Sequence, residues 1–225
     1  MFKDDAEALH ERVREALDRH ENDVAEKLLI DSLAISTKEG DIALAERTCN
    51  NLGILATRRG DTDEALSYYQ LSMDACEKLG LEVSRAGSMI NVANILRNRG
   101  NPSDMDEAHR LYYAAYEIGR RYQDPKIEVH AWRGLGYISQ GRLNEFGISL
   151  DIALQSNEPI LIMESFFHLG RYHQSVGNTT KAEEYYRKYV RINATTDRPL
   201  LDFFTNHGYT DPDEYWDFPP KTSET

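Results

Sequence analysis

At 225 residues, 40% of them hydrophobic and only 7 proline, the chain has the composition of a folded protein rather than a disordered one. Its net charge of −12, with acidic residues gathered towards both ends and a balanced middle, excludes the basic face that nonspecific nucleic-acid or anionic-membrane binding needs. No apolar run approaches the roughly 20 residues of a membrane span, and the acidic opening Met1-Phe2-Lys3-Asp4-Asp5 does not read as a secretory signal, so a cytoplasmic protein is expected.

In chain order, hydrophobic periodicity and turn residues predict helices over 4–19, 22–38, 42–59, 62–79, 82–99, 104–122, 125–140, 143–156, 159–176 and 179–193, with no strands. The organising stretch is Leu52-Gly53 in one helix, the turn Gly60-Asp61, and Ala65 with Tyr69 in the next. Small residues placed where two backbones cross make this a helical hairpin. Glycines at 60, 100, 141 and 177 repeat the turn at spacings of 40, 41 and 36 residues, and seven residues before each stand Gly53, Ala93, Gly134 and Gly170. Counting back 40 gives a weaker first copy, matched at Ala25, Leu29 and the polar turn Glu21-Asn22-Asp23. The repeats therefore run over 4–39, 41–80, 82–122, 124–156 and 158–193. Cys49 and Cys76 fall on apolar positions and read as buried thiols in a reducing compartment.

Capping chemistry supports the boundaries. Asp61 with Glu64, and Ser103 with Asp106, read as capping boxes; Asp124-Pro125 and Asn157-Glu158-Pro159 read as caps followed by a first-turn proline. The fourth copy departs from the pattern, with Phe146 in the alanine position, Gly147 beside it, and Gly134 and Gly136 two apart in one helix. Each internal glycine costs about 1 kcal/mol against alanine, so this copy is expected to be the softest or to hold a local bend. After Asn193 the period stops. Asp197-Arg198-Pro199 and the apolar Leu200-Leu201-Asp202-Phe203-Phe204 read as a capping helix over 197–208 that closes a single domain of 1–209. An acidic aromatic tail, 210–225, follows with Tyr215, Trp216 and Phe218.

The pattern resembles the tetratricopeptide repeat: Leu52-Gly53, Ala65 and Tyr69 in the second copy, Val92-Ala93, Ala108 and Tyr112 in the third, and Phe166, Leu169-Gly170, Gly177, Ala182 and Tyr186 in the fifth occupy that family's signature positions. The usual repeat has about 34 residues, and the longer copies here look like the subtype of kinesin light chains and bacterial peptide-sensing regulators. The resemblance implies an all-α fold, a right-handed superhelical solenoid of five antiparallel helix pairs plus the capping helix. It also implies a concave groove lined by the first helix of each pair. On this chain the groove residues would be Asn51, Ile54, Thr57 and Arg58; Asn91, Asn94, Arg97 and Asn98; Trp132, Leu135, Ile138 and Ser139; and His168, Arg171, Gln174 and Ser175, with Arg47 joining them.

Asparagine is a poor helix former, so Asn51 and Asn91, 40 apart, call for a reason. An amide donates and accepts, and such a ladder either holds the backbone of an extended peptide or bonds to the neighbouring repeat. Arg47, Arg58 and Arg97 would make the groove positive and suit an acidic peptide or a chain terminus. Trp132 and Phe167 read either as an apolar pocket or as core. No nucleophile, metal set or phosphate loop emerges: His168 and His173 are five apart, and Gly134-Leu135-Gly136 follows no strand. The expectation is a non-catalytic protein-interaction scaffold without cofactor or metal, whose partner is a protein or peptide. The alternative is a self-associating module in which the tail 210–225 docks into its own or a neighbouring groove and forms a homo-oligomer.

Overall fold

The computed structural model describes residues 2–19, 21–139 and 143–193. The expected capping helix, the tail and Gly141 lie outside them. The described residues form ten α-helices and no strand: α1 (Phe2–Asp18), α2 (Asn22–Glu39), α3 (Ile42–Arg59), α4 (Thr62–Leu79), α5 (Glu82–Arg99), α6 (Pro102–Tyr122), α7 (Pro125–Ile138), α8 (Leu143–Ser156), α9 (Pro159–Ser175) and α10 (Thr179–Asn193). Two compact units divide the chain, Met1–Ser156 with α1 to α8 and Asn157–Thr225 with α9 and α10.

In the first unit each helix packs on the next in sequence, and α5 also packs on α7. Helices α2 to α5 have equal length because a glycine ends each of them. Gly60, at φ 88°, is left-handed, a conformation glycine adopts without steric cost, and its N–H closes the turn on the carbonyls of Ala56 and Thr57. Gln123, at φ 55°, ends α6 in the same way with a side chain present.

Aromatic rings seated in glycine notches set the helix approaches. Tyr69 of α4 lies against Gly53, where an added Cβ would stand 2.7 Å from the ring, and Tyr186 of α10 lies against Gly170 at 2.6 Å. These are the sequence's small and aromatic positions meeting within one pair. The third copy differs. Ala93 already carries a methyl group, and α6 is three residues longer than α4, so Tyr112 fills the notch of Gly134 in α7, at 2.2 Å from the position of a Cβ. Gly136 gives room on α7 to Phe146 of α8, at 3.0 Å. The irregularities of the fourth copy therefore belong together: phenylalanine replaces alanine where a second glycine receives its ring. All four rings take part in hydrophobic packing, and burying each such side chain is worth roughly 1.5–3 kcal/mol.

One buried core joins Ala56, Tyr69, Ile90, Ala93, Tyr112 and Leu135 across α3 to α7, and a second joins Val13, Leu29 and Leu52 across α1 to α3. In the second unit Met163, Phe167 and Tyr189 form the core. Two buried hydroxyl pairs link consecutive repeats, Ser32 with Thr48 and Ser72 with Ser88, each at 3.0 Å, the second pair standing 40 residues on from the first. Cys49 and Cys76 are free and buried; burial first, then the charge of Glu46, pushes their thiols up to about 11 and about 12.

The capping expectations divide. Asp124 accepts the Ile127 N–H at 3.0 Å with Pro125 in the first turn, and Asp41 accepts from Leu44 at 3.0 Å. The two capping boxes are not formed. Asp61 precedes α4, but its side chain makes no cap hydrogen bond and its carboxylate meets Arg59 instead. Helix α6 begins at Pro102 behind Asn101, so the cap position falls two residues before Ser103, because proline is tolerated where the first N–H groups have no helical partner. Glu158, rather than Asn157, precedes α9, also without a side-chain cap, and Asn157 takes φ 54°.

Candidate peptide-binding pocket

Residues 47, 50 and 51 share one face of α3, and residues 84, 87 and 91 share one face of α5, because a helix repeats every three to four residues. Together with Glu46 these side chains line a pocket of about 360 Å³: Glu46, Arg47, Asn50 and Asn51 on one side, Ser84, Gly87 and Asn91 on the other. The two repeats are not symmetric there. Gly87 is the counterpart of Arg47 one repeat on, and nothing lies within 4 Å of where its Cβ would be. The missing side chain is what leaves the space open. Arg47 is exposed, whereas Asn51 and Asn91 are half-buried, so both amides reach the pocket from fixed helical positions.

The pocket brings together Arg47, Asn51 and Asn91 among the residues expected from sequence. The other six sit elsewhere. Asn94 accepts the Tyr112 hydroxyl at 2.6 Å, an engagement within its own helix pair that follows from the extra length of α6. Arg97 stacks over the Tyr137 ring at 4.8 Å and donates to Asn98 at 3.2 Å. Arg58 is half-buried, and burial holds its pKa below the usual guanidinium value, with Tyr69 opposing the shift. Trp132 packs edge-on to Tyr116 at 5.1 Å and against the core of the first unit, while Phe167 lies in the core of the second. His168 and Arg171 belong to α9 in the second unit; His168 is buried edge-on to Phe167 at 5.3 Å, and Arg171 is half-buried.

Glu46, Asn50, Ser84 and Gly87 were not singled out from sequence. A signal for Gly87 existed, since a 40-residue shift places it at the Arg47 position. Glu46 had none, because its counterpart is Ala86 and a lone glutamate on a helix reads as solvated surface. Among the described residues no group of three or more histidine, cysteine, aspartate or glutamate side chains could hold a metal ion. No described helix is long and apolar enough to cross a membrane.

Helix pairs stacked in sequence order, with small residues receiving the aromatic of a neighbouring helix, define a helical-repeat protein. Two stretches, residues 47–79 and residues 164–196, each match a family model described as tetratricopeptide repeat, so the chain carries tetratricopeptide repeats. Among solved structures the chain is similar to BtubC (BKLC) from P. vanneervenii, with 21% sequence identity, a TM-score of 0.63, and coverage of 86% of this chain and 83% of that one. That likeness is one of fold. No curated protein matches the chain by sequence. As a class, tetratricopeptide repeats are protein-interaction modules and typically non-catalytic.

Proposed function

We propose that the chain is a non-catalytic adaptor that holds an extended segment of a partner protein in the α3/α5 pocket. The observation that carries this reading is the convergence of Arg47, Asn51 and Asn91, from two consecutive repeats, on one open space of about 360 Å³. Each asparagine amide can accept a peptide N–H and donate to a peptide carbonyl, so the backbone is held with little regard to its side chains. Arg47, exposed at the pocket, would meet an acidic side chain or a terminal carboxylate, for which the guanidinium fork is suited. The open floor at Gly87 leaves room for one side chain of the guest.

The test is a displayed-peptide selection on the intact protein and, in parallel, on an Asn51→Ala/Asn91→Ala variant whose helicity is verified by circular dichroism. Peptides enriched on the first and absent from the second support the reading. Enrichment indifferent to both substitutions removes the pocket from the account and leaves self-association as the competing mode, read from the mass of the chain with and without 210–225.

A further inference from the structure

The pocket contains a charge that backbone recognition does not use. Glu46 is 6% exposed, yet it lines the cavity. Its carboxylate accepts a hydrogen bond from the Ser72 hydroxyl at 3.1 Å, and the Ser72 hydroxyl in turn lies 3.0 Å from that of Ser88. The Cys76 thiol also borders it. No cation of the described residues forms an ion pair with it: Arg85 of α5 pairs with Glu82 at 2.6 Å, and Arg47 is exposed. A glutamate is rarely buried this far unless paired, because loss of hydration penalises the ionised form. Two neutral donors satisfy only part of a carboxylate's acceptor capacity.

We infer that Glu46 is the anchor for a cationic side chain, a lysine ammonium or an arginine guanidinium, carried by the peptide that occupies the α3/α5 pocket. This rests on the peptide-binding reading and adds to it the one position at which side-chain identity matters. The stem of the guest residue passes over Gly87, where no Cβ stands in its way, and its head group reaches Glu46. Oxygens of Asn50, Asn51, Asn91 and Ser84 are available to the remaining N–H donors. Ser72 holds the carboxylate by donating to it, and Ser88 completes the chain by donating to the Ser72 oxygen. Arg47, outside, then favours an acidic residue next to the basic one, so the recognised segment is dipolar rather than uniformly acidic.

The experiment is the same displayed-peptide selection carried out on the wild type, on Glu46→Gln, and on Asn51→Ala/Asn91→Ala. Glutamine keeps an oxygen for the Ser72 hydroxyl, and a thermal melt verifies that the variant is folded. The expected result is a fixed lysine or arginine position among wild-type peptides, which Glu46→Gln loses by about tenfold or more in enrichment, while the rest of the consensus survives. Individual peptides with that residue changed to norleucine or citrulline should lose the same factor on the wild type and little on Glu46→Gln. Asparagine-dependent peptides with no basic position, or a basic position indifferent to Glu46→Gln, overturn the inference and leave the pocket reading standing. Absence of any asparagine-dependent peptide overturns both. A purely structural Glu46 would lower the melting temperature without moving the residue preference.

Discussion

Gly134→Ala places one methyl group where the Tyr112 ring now sits. The new Cβ would stand 2.2 Å from Cε1 and 2.3 Å from Cζ, against the roughly 3.5–4.0 Å of ordinary carbon contact. The ring must therefore retreat by more than an ångström. It is fully buried and held through its hydroxyl to Asn94 at 2.6 Å, so retreat strains the packing and breaks the hydrogen bond. Overpacking of this kind costs about 1–3 kcal/mol and the lost bond about 1 kcal/mol. Alanine returns about 1 kcal/mol of helix propensity, leaving a net loss of about 2 kcal/mol, or roughly 4–8 °C in Tm. Gly147→Ala is the matched control. It lies inside α8 with nothing within 4 Å of the new Cβ, and a gain of about 0.5–1 kcal/mol is expected. Urea and thermal unfolding followed by circular dichroism measure both. The reasoning is refuted if Gly134→Ala is as stable as Gly147→Ala, since glycine would then be tolerated in α7 rather than required by its neighbour.

Three further outcomes follow from side chains already described. Asp124→Ala removes a formed N-cap and should cost about 0.5–2 kcal/mol in urea unfolding, whereas Asp61→Ala, which removes none, should cost less. The buried thiols of Cys49 and Cys76, raised to about 11 and about 12, should resist a thiol reagent at neutral pH in the folded protein and react promptly in denaturant; fast labelling of the native chain would contradict their placement. His173 is buried against Tyr172 and Tyr185, and burial, then Lys181, lowers its pKa while Glu184 opposes this. A lowered histidine pKa means that the unfolded chain binds the proton more tightly. Stability should thus be full above the ordinary value of about 6.5 and fall as the pH drops below it, and His173→Phe should flatten that fall; an equal slope in the variant would exclude His173 as its source.

Much of the fold was legible because two periodicities coincide, a helical one within elements and a 40-residue one between them. Gly60 and Gly100 mark their turns without ambiguity, since both take a left-handed backbone. Of the two capping boxes, the first fails because Asp61 has Arg59 within reach, an ion pair that sequence spacing does not rank against a cap, and the second because α6 starts earlier, at Pro102. At the pocket, Asn51 and Asn91 were visible as recurring poor helix formers. Asn94 stands at a different inward-facing position, the counterpart of Ile54, and there the three extra residues of α6 bring the Tyr112 hydroxyl onto it. Periodicity assigns a helix face and does not reveal which partner occupies it. Glu46 stayed hidden for the converse reason, since its role depends on two helices that are 40 residues apart in sequence and share a cavity, and the repeat shift that aligns Gly87 with Arg47 does not show that cavity.

The most direct test of the pocket as the binding site is the affinity of a selected peptide for Gly87→Leu, measured beside its melting temperature. The new side chain begins where no atom lies within 4 Å and extends into the cavity, and leucine is a better helix former than glycine by up to about 1 kcal/mol. The protein should melt no lower than wild type while its affinity for the peptide falls at least about tenfold. Undiminished affinity in a folded Gly87→Leu protein would place the partner somewhere other than between α3 and α5.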